Sequence, residues 1–314
     1  MKQLNLRTIA HRSGILKEQG VDAFSILVSL IFLTFLGKSI NNFIKYCQRS
    51  IFLLGSKDIF YRLSSRRGIN WRRFLFELSL KVINWFKIFK RWEEHVLIID
   101  DSVISKRGKK IEGLTWIFDY VSKKYVKGFS AVVLGWSDSS SFIPIDISLK
   151  GSKKKVNKEE FFPEMDKRTI AWHRRDEIYK DKMTLAKEML IRAKNKMIEA
   201  GAVLFDSWYC YPKFVSEVYN IGYNVIGKLK TTSTLRVSLK GKKISTKRLW
   251  EVIVKGLKTE IKQINKEKIR VSSILCKYGD IEVKLVFCQP EKSKKLKKKM
   301  ILLSTQIRNY HHQK

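Results

Sequence analysis

Cysteine is scarce and scattered in this chain. The four residues, Cys47, Cys210, Cys276 and Cys288, form no C-x-x-C pair, which excludes a zinc ribbon and a disulfide framework and fits reduced cytosolic thiols. Histidine is equally sparse. His11, His95, His173, His311 and His312 include no i, i+4 pair with a metalloprotease glutamate, so a histidine-based metal centre has no foundation. Long apolar runs are missing as well. The uncharged stretch from Ala23 to Gly37 spans 15 residues, short of the ~20 that a bilayer core demands, and Lys38 and Lys45 follow it. It has no small-residue cleavage site, so it reads as a buried core helix rather than a signal peptide or an anchor. No internal repeat is evident, and negative charge is in short supply.

The counterpart of that shortage is a large positive excess. With 64 Lys+Arg against 29 Asp+Glu, the formal charge is +35 and runs along the whole length. Such a chain repels itself unless it meets a polyanion, so nucleic acid is the leading partner and an anionic membrane surface the second. At 314 residues and 44% apolar composition, there is enough material for one large folded domain or two smaller ones.

Periodicity divides the chain. Residues 1–92 read as helical, and Trp71 to Trp92 interleaves Phe74, Leu78, Val82 and Trp85 with Arg72, Arg73, Lys81, Lys87 and Lys90, the pattern of a helix with one buried and one basic face. From His95 short β runs take over: Val96–Asp100, Thr115–Tyr120, Phe129–Trp136 and Phe142–Leu149, close enough in sequence for an antiparallel meander. Asp176 to Ala200 predicts a helix with Ala186, Met189, Leu190, Ala193 and Met197 on one face and Gly201 as its stop. A strand at Ala202–Asp206, a helix to Asn220 and a strand at Asn224–Leu229 follow. Residues 231–300 return to β runs such as Ile269–Cys276 and Ile281–Phe287, ending in the basic run Lys292 to Lys299. The class is mixed α/β.

Two of these apolar runs end in acids. Val96-Leu97-Ile98-Ile99 leads into Asp100-Asp101, and Ala202-Val203-Leu204-Phe205 leads into Asp206. Carboxylates delivered at strand ends suit a metal-dependent phosphoryl-transfer site, where acidic oxygens converge on Mg²⁺ and the chemistry is positioning plus charge neutralisation.

Several words in order then resemble one family. Leu97-Ile98-Ile99-Asp100-Asp101-Ser102, Lys124-Tyr125-Val126-Lys127-Gly128-Phe129, Leu134-Gly135-Trp136-Ser137-Asp138, Ser141-Phe142-Ile143-Pro144, Leu204-Phe205-Asp206-Ser207-Trp208-Tyr209 and Ile301-Leu302-Leu303-Ser304-Thr305 are similar to the DDE transposases of IS-four-type insertion sequences. The resemblance covers roughly residues 90–305. It implies a ribonuclease-H-like mixed sheet flanked by helices, with an N-terminal helical DNA-binding region at 1–92, a catalytic core at 93–230, a β-rich insertion at 231–300 and a further core segment beginning at 301–314. It also implies cut-and-paste transposition of bacterial DNA with Mg²⁺ or Mn²⁺, by a homodimer on transposon ends and target, in the cytoplasm at the nucleoid. Asp100, in its D-x-[ST] setting, and Asp206 would be the catalytic, metal-binding acids. Asp101 would face the other way. Lys106, Lys109 and Lys110 are candidate phosphate contacts, with a solvated lysine cluster as the alternative. Trp208 and Tyr209 read as packing residues.

The family's third acid, a glutamate in a Tyr-x-x-Arg-x-x-x-Glu-x-x-x-x-x-x-Lys pattern, has no counterpart after Leu303-Ser304-Thr305, where only Gln306 to Lys314 follow. Glu282 and Glu291 do not have its position. The expectation is therefore a truncated, catalytically impaired copy with a poorly packed end at Gln306–Lys314. Three classes stay open: a DDE transposase, a non-catalytic DNA-binding remnant competing for transposon ends, and a membrane-surface protein built on Ala23–Gly37. Metal-dependent cleavage separates the first two, and fractionation decides the third.

Overall fold

The computed structural model describes residues 4–17, 19–46, 56–87, 95–108, 111–152, 164–252, 259–264, 267–290 and 300–305. The expectations for Lys109, Lys110, Glu291, Lys292 to Lys299 and Gln306–Lys314 fall outside these residues. The chain opens with α1 (Leu6–Arg12), α2 (Ala23–Leu36), α3 (Ile40–Tyr46), α4 (Lys57–Ser64) and α5 (Trp71–Lys87). The strands β1 (Val96–Ser105), β2 (Thr115–Asp119), β3 (Lys124–Ser137) and β4 (Phe142–Lys150) follow, then α6 (Ile170–Glu177), α7 (Lys182–Asn195), β5 (Ala202–Phe205), α8 (Pro212–Asn220) and β6 (Val225–Leu229). The remainder holds β7 (Arg236–Leu239), β8 (Lys242–Ser245), α9 (Thr246–Val252), β9 (Glu260–Ile264), β10 (Glu267–Tyr278), β11 (Ile281–Pro290) and β12 (Met300–Ser304). It is a mixed α/β fold, with a large mixed sheet and helices, of the ribonuclease-H-like kind.

The chain divides into two compact units. One comprises Met1–Trp85, Ser105–Phe129 and Gly151–Tyr179. Its helical core gathers Ala10, Ile15, Ala23, Ile26, Leu27, Phe60, Leu63 and Ile69. Asp22 caps α2 by accepting from the Ser25 N–H at 3.2 Å, and Ala23, Ile26, Leu27 and Leu33 are buried, whereas Phe32, Phe35 and Leu36 in the last turn face solvent. Among the described residues no helix is long and apolar enough to cross a membrane. In α5 the buried residues are Phe76, Ser79 and Ile83, and Trp85 is exposed. The inward stripe is thus displaced from the Phe74, Leu78, Val82 and Trp85 row expected from spacing. Arg72, expected on a basic face, instead forms a two-pronged ion pair with buried Glu177, with Nη2 donating to Oε2 at 2.7 Å.

The other unit comprises Phe86–Ile104, Ser130–Lys150 and Lys180–Lys314. Across the described residues the strands follow the order β2-β3-β1-β5-β6-β12-β11-β10-β7-β8, with β4 also on β3 and β9 on β10. The meander is therefore antiparallel through β2, β3 and β4, but β1 pairs with β3 and not with its sequence neighbour β2. β1, β5 and β6 are parallel, and β12 returns antiparallel to β6. Gly227 stands opposite Phe205, and a Cβ there would lie 2.9 Å from Cys210 Sγ, so only glycine permits that close approach.

The single helix expected from Asp176 to Ala200 is two helices. α6 ends at Glu177 and α7 starts afresh after Asp181, whose carboxylate accepts from the Thr184 N–H at 2.9 Å. Leu185, Ala186, Met189, Leu190 and Ala193 are fully buried, with Leu185, Met189 and Leu190 each contributing about 1.5–3 kcal/mol of burial. Met197, assigned to that face by spacing, is 83% exposed, because α7 has already ended at Asn195 and Met197 has a left-handed backbone with φ 55°. α7 packs on β4 and α8, where Arg192 Nε donates to the fully buried Asp146 carboxylate at 2.8 Å.

Candidate active site

The parallel pairing of β1 and β5 matches Val96 with Ala202, Leu97 with Val203, Ile98 with Leu204 and Ile99 with Phe205. Asp100 is the next residue of β1 and Asp206 the first residue after β5, so each follows directly on the last matched pair. Alternation explains what each acid meets. Leu97 and Ile99 are buried, so Asp101, two residues beyond Ile99, continues that face, while Asp100 lies on the other and is exposed. Asp206 is exposed too.

The exposed acids are lightly held. Asp100 Oδ1 accepts from the Asp101 N–H and Asp206 Oδ1 from the Trp208 N–H, both at 2.8 Å. The second contact is an Asx turn that fixes the carboxylate against its own backbone. Each acid keeps a second oxygen that accepts no hydrogen bond from the described residues.

Asp101 is the opposite case. Its Oδ2 accepts from Lys182 Nζ at 2.6 Å and from Ser130 Oγ at 3.1 Å, and its Oδ1 from the Tyr209 hydroxyl at 3.2 Å. Four elements converge on this carboxylate: β1 carries it, β3 supplies Ser130, the start of α7 Lys182, and the segment after β5 Tyr209. Lys182 also stands 4.9 Å above the Trp208 ring, so its charge is held by a carboxylate and a π-face. Lys150 is nearby; burial and then the Lys182 charge lower its pKa, against the raising effect of Asp181 and Asp101.

Tyr209 is fully buried. Burial first, then the Asp101 charge and hydrogen bond, then the charges of Asp206 and Asp100, hold its phenol well above the ordinary tyrosine range. It stays a proton donor, and the one hydroxyl senses all three carboxylates. Burial and the Asp206 charge push the Cys210 thiol up to about 12, which disqualifies it as a thiolate nucleophile at neutral pH. Cys276 is likewise raised to about 12 by burial.

Asp100, within β1, and Asp206, just past the end of β5, thus each follow directly on the last matched pair of the two strands. Lys106 is exposed in the segment after β1, its backbone N–H donating to Lys127 O at 2.9 Å, and belongs to the other unit. Lys109 and Lys110 are outside the described residues. Tyr209 packs, as expected, yet also donates to Asp101. Ser130 and Lys182 were not singled out by sequence reading, and their partner lies 29 and 81 residues away. The only local trace is Asp181-Lys182 at a helix start. Among the described residues no group of three or more His, Cys, Asp or Glu is gathered closely enough to hold a metal ion.

The fold is thus a ribonuclease-H-like mixed sheet whose parallel β1–β5 pair is followed directly by two exposed acids. A family model described as DDE superfamily endonuclease matches residues 60–247, more than half of the chain, and the chain belongs to that family. Comparison with curated proteins gives no match.

Proposed function

We propose that the protein is a metal-dependent DNA endonuclease and strand-transfer enzyme of the IS-four-type transposase branch, with Asp100 and Asp206 as its metal-binding, catalytic carboxylates. The observation that carries this reading is the β1–β5 register, whose last matched pair, Ile99 and Phe205, is followed directly by two exposed acids. Their donor set suits a hard cation: each has an oxygen left over after its backbone contact, and carboxylate oxygen is what Mg²⁺ or Mn²⁺ selects. When bound, the metal would supply Lewis-acid stabilisation of phosphate charge and activation of an attacking hydroxyl. The protein's own part is positioning. The Asx turn at Asp206 limits rotation of that carboxylate, and the Lys182–Asp101–Ser130–Tyr209 contacts clamp β1 beside Asp100. Asp101 is spent on this clamp, which favours Asp100 as the ligand. Lys106, Lys109 and Lys110 would meet phosphates, and paired DNA ends call for a homodimer in the bacterial nucleoid.

The test is nicking of supercoiled DNA with Mg²⁺ or Mn²⁺. Asp100→Asn and Asp206→Asn are each expected to lose roughly 10³-fold in rate, the ~4 kcal/mol scale of metal-centred charge stabilisation, while Asp101→Asn keeps measurable cleavage. Wild-type rates in Asp100→Asn would sink the assignment. A second reading, a DNA-binding remnant that competes for transposon ends, is favoured by the absence of a three-acid cluster among the described residues. Salt-sensitive DNA binding with no cleavage under either metal would select it.

A further inference from the structure

The hairpin formed by β2 and the first part of β3 has two unlike faces. Register pairs Trp116 with Lys127, Phe118 with Tyr125 and Thr115 with Gly128. Alternation therefore sends Trp116, Phe118, Tyr125 and Lys127 to one side and Thr115, Val126 and Gly128 to the other. The second side is the packed one, with Thr115 and Gly128 buried. The first side is open. Trp116 is 45% exposed, Tyr120 65% and Tyr125 69%.

Isolated exposed aromatics are unremarkable, but these are clustered and interleaved with positive charge. Phe118 meets Tyr120 and Tyr125 edge to face at 5.0 and 5.2 Å. Lys127 stands 5.3 Å over the Trp116 ring and Lys123 5.9 Å over the Tyr120 ring. The hairpin's one carboxylate, Asp119, is turned into its own turn, where it accepts from the Val121 and Ser122 N–H groups and the Ser122 hydroxyl. Among the described residues of the hairpin, no acid on this face opposes an incoming anion. A packing role explains the Phe118 contacts but leaves Trp116, Tyr120 and Tyr125 between 45% and 69% exposed.

We propose that this face binds unpaired DNA, with Trp116, Tyr120 and Tyr125 stacking bases while Lys123 and Lys127 hold the adjoining phosphates. Rings that stand out from a strand pair offer platforms to any base but need that base released from its partner. The two lysines already rest at ring level, so a phosphate beside a stacked base lies within reach of an ammonium group. Charge complementarity selects a polyanion, and the DNA reading above, on which this inference rests, selects its kind.

The test measures the full chain against an oligonucleotide carrying 2-aminopurine, either in an unpaired segment or in a complete duplex. Wild type is expected to quench the unpaired probe, and the Trp116→Ala/Tyr125→Ala variant to lose roughly ten-fold in affinity per ring on that substrate. Its affinity for the duplex should stay within about three-fold, since stacking is not available there. Tyr125→Phe should restore binding, because the ring and not the hydroxyl does the stacking. Lys123→Gln/Lys127→Gln should lower the slope of log affinity against log salt by about 0.7 for each phosphate left without its lysine. An unchanged melting transition in the ring variant shows that the hairpin still folds. Unchanged affinity for the unpaired segment in that variant overturns the hairpin site alone. Ring-dependent binding to anionic phosphatidylserine vesicles in place of DNA also overturns it, and a wild type that binds neither DNA form overturns both this site and the reading beneath it.

Discussion

The parallel β1–β5 pair and the antiparallel β10–β11 hairpin use strand pairing for opposite ends. The first has four matched positions, Val96 to Ile99 against Ala202 to Phe205, from segments about a hundred residues apart. The second has ten, Ile269 to Tyr278 against Pro290 to Ile281, joined by a turn in which Gly279 has φ 64°. The hairpin buries one face, with Val283, Leu285 and Phe287 inside and Lys284 and Val286 between them. Its order comes from local sequence and a glycine turn. The parallel pair has no local turn to align it and depends on the core around Leu97, Ile99 and Val203. Short, deeply packed pairing positions the segments that carry Asp100 and Asp206, while long pairing builds surface.

The largest test of that contrast compares Leu97→Ala with Leu285→Ala. Both side chains are fully buried, and each loss should cost about 2–5 kcal/mol of stability by denaturant unfolding. Only Leu97→Ala should also lower cleavage per folded molecule, because it loosens the strand that carries Asp100. Equal cleavage in the two folded variants would erase the distinction.

A smaller effect is expected at Lys182→Met. Lys182 and Asp101 have side-chain exposures of 17% and 19%, so the ion pair is shielded but not sealed. Its loss should cost about 1–3 kcal/mol, below the range for fully buried pairs. A Lys182→Met/Asp101→Asn double variant should recover part of that loss in a thermodynamic cycle. Strict additivity would show that the two groups are not coupled.

The smallest effect concerns Asp181. Burial alone would raise its pKa, but hydrogen bonds from the Thr184 hydroxyl and N–H and from the Met183 N–H outweigh it and hold the carboxyl below its ordinary 3.8. A group with a depressed folded pKa stabilises fully above its unfolded value and loses that contribution as pH falls through the folded one. Asp181→Ala should therefore cost about 1 kcal/mol at neutral pH, and the gap from wild type should close below about pH 4. A gap that persists at pH 2 would show that the cap acts by packing and not by charge.

Much of this architecture was readable in advance where burial and periodicity coincide. The runs at Val96, Ala202 and Val225 are apolar because both faces of central strands are covered, so their positions and their terminal acids stood out. The far half of β1, Asp101 to Ser105, was not readable, since Asp101, Ser102 and Ser105 break the apolar run on either side of Val103 and Ile104. The break between α6 and α7 was hidden because the apolar spacing from Ala186 onward extends smoothly to Met197 on paper, whereas capping at Asp181 and the left-handed turn at Met197 end the helix at both sides. Asp100 and Asp206 were named as the residues that follow two apolar runs, and each follows the last matched pair of β1 and β5. Ser130 and Lys182 could not be named, because neither residue type nor spacing signals a partner 29 or 81 residues distant.

Trp136, wholly buried on β3, has a ring centroid 4.8 Å from that of His95, and its indole N–H meets no acceptor among the described residues. A donor so placed carries a desolvation cost of about 1–3 kcal/mol, yet the same isolation makes the indole an optical gauge. Cut off from water and from hydrogen-bonding dipoles, its excited state has nothing to relax it, so it should emit at the blue edge of tryptophan fluorescence. Trp85 and Trp116, both exposed, emit further to the red. The spectrum of the folded chain is then a sum of dry and wet emitters, and a Trp136→Phe variant isolates the share that reports on the β3 core.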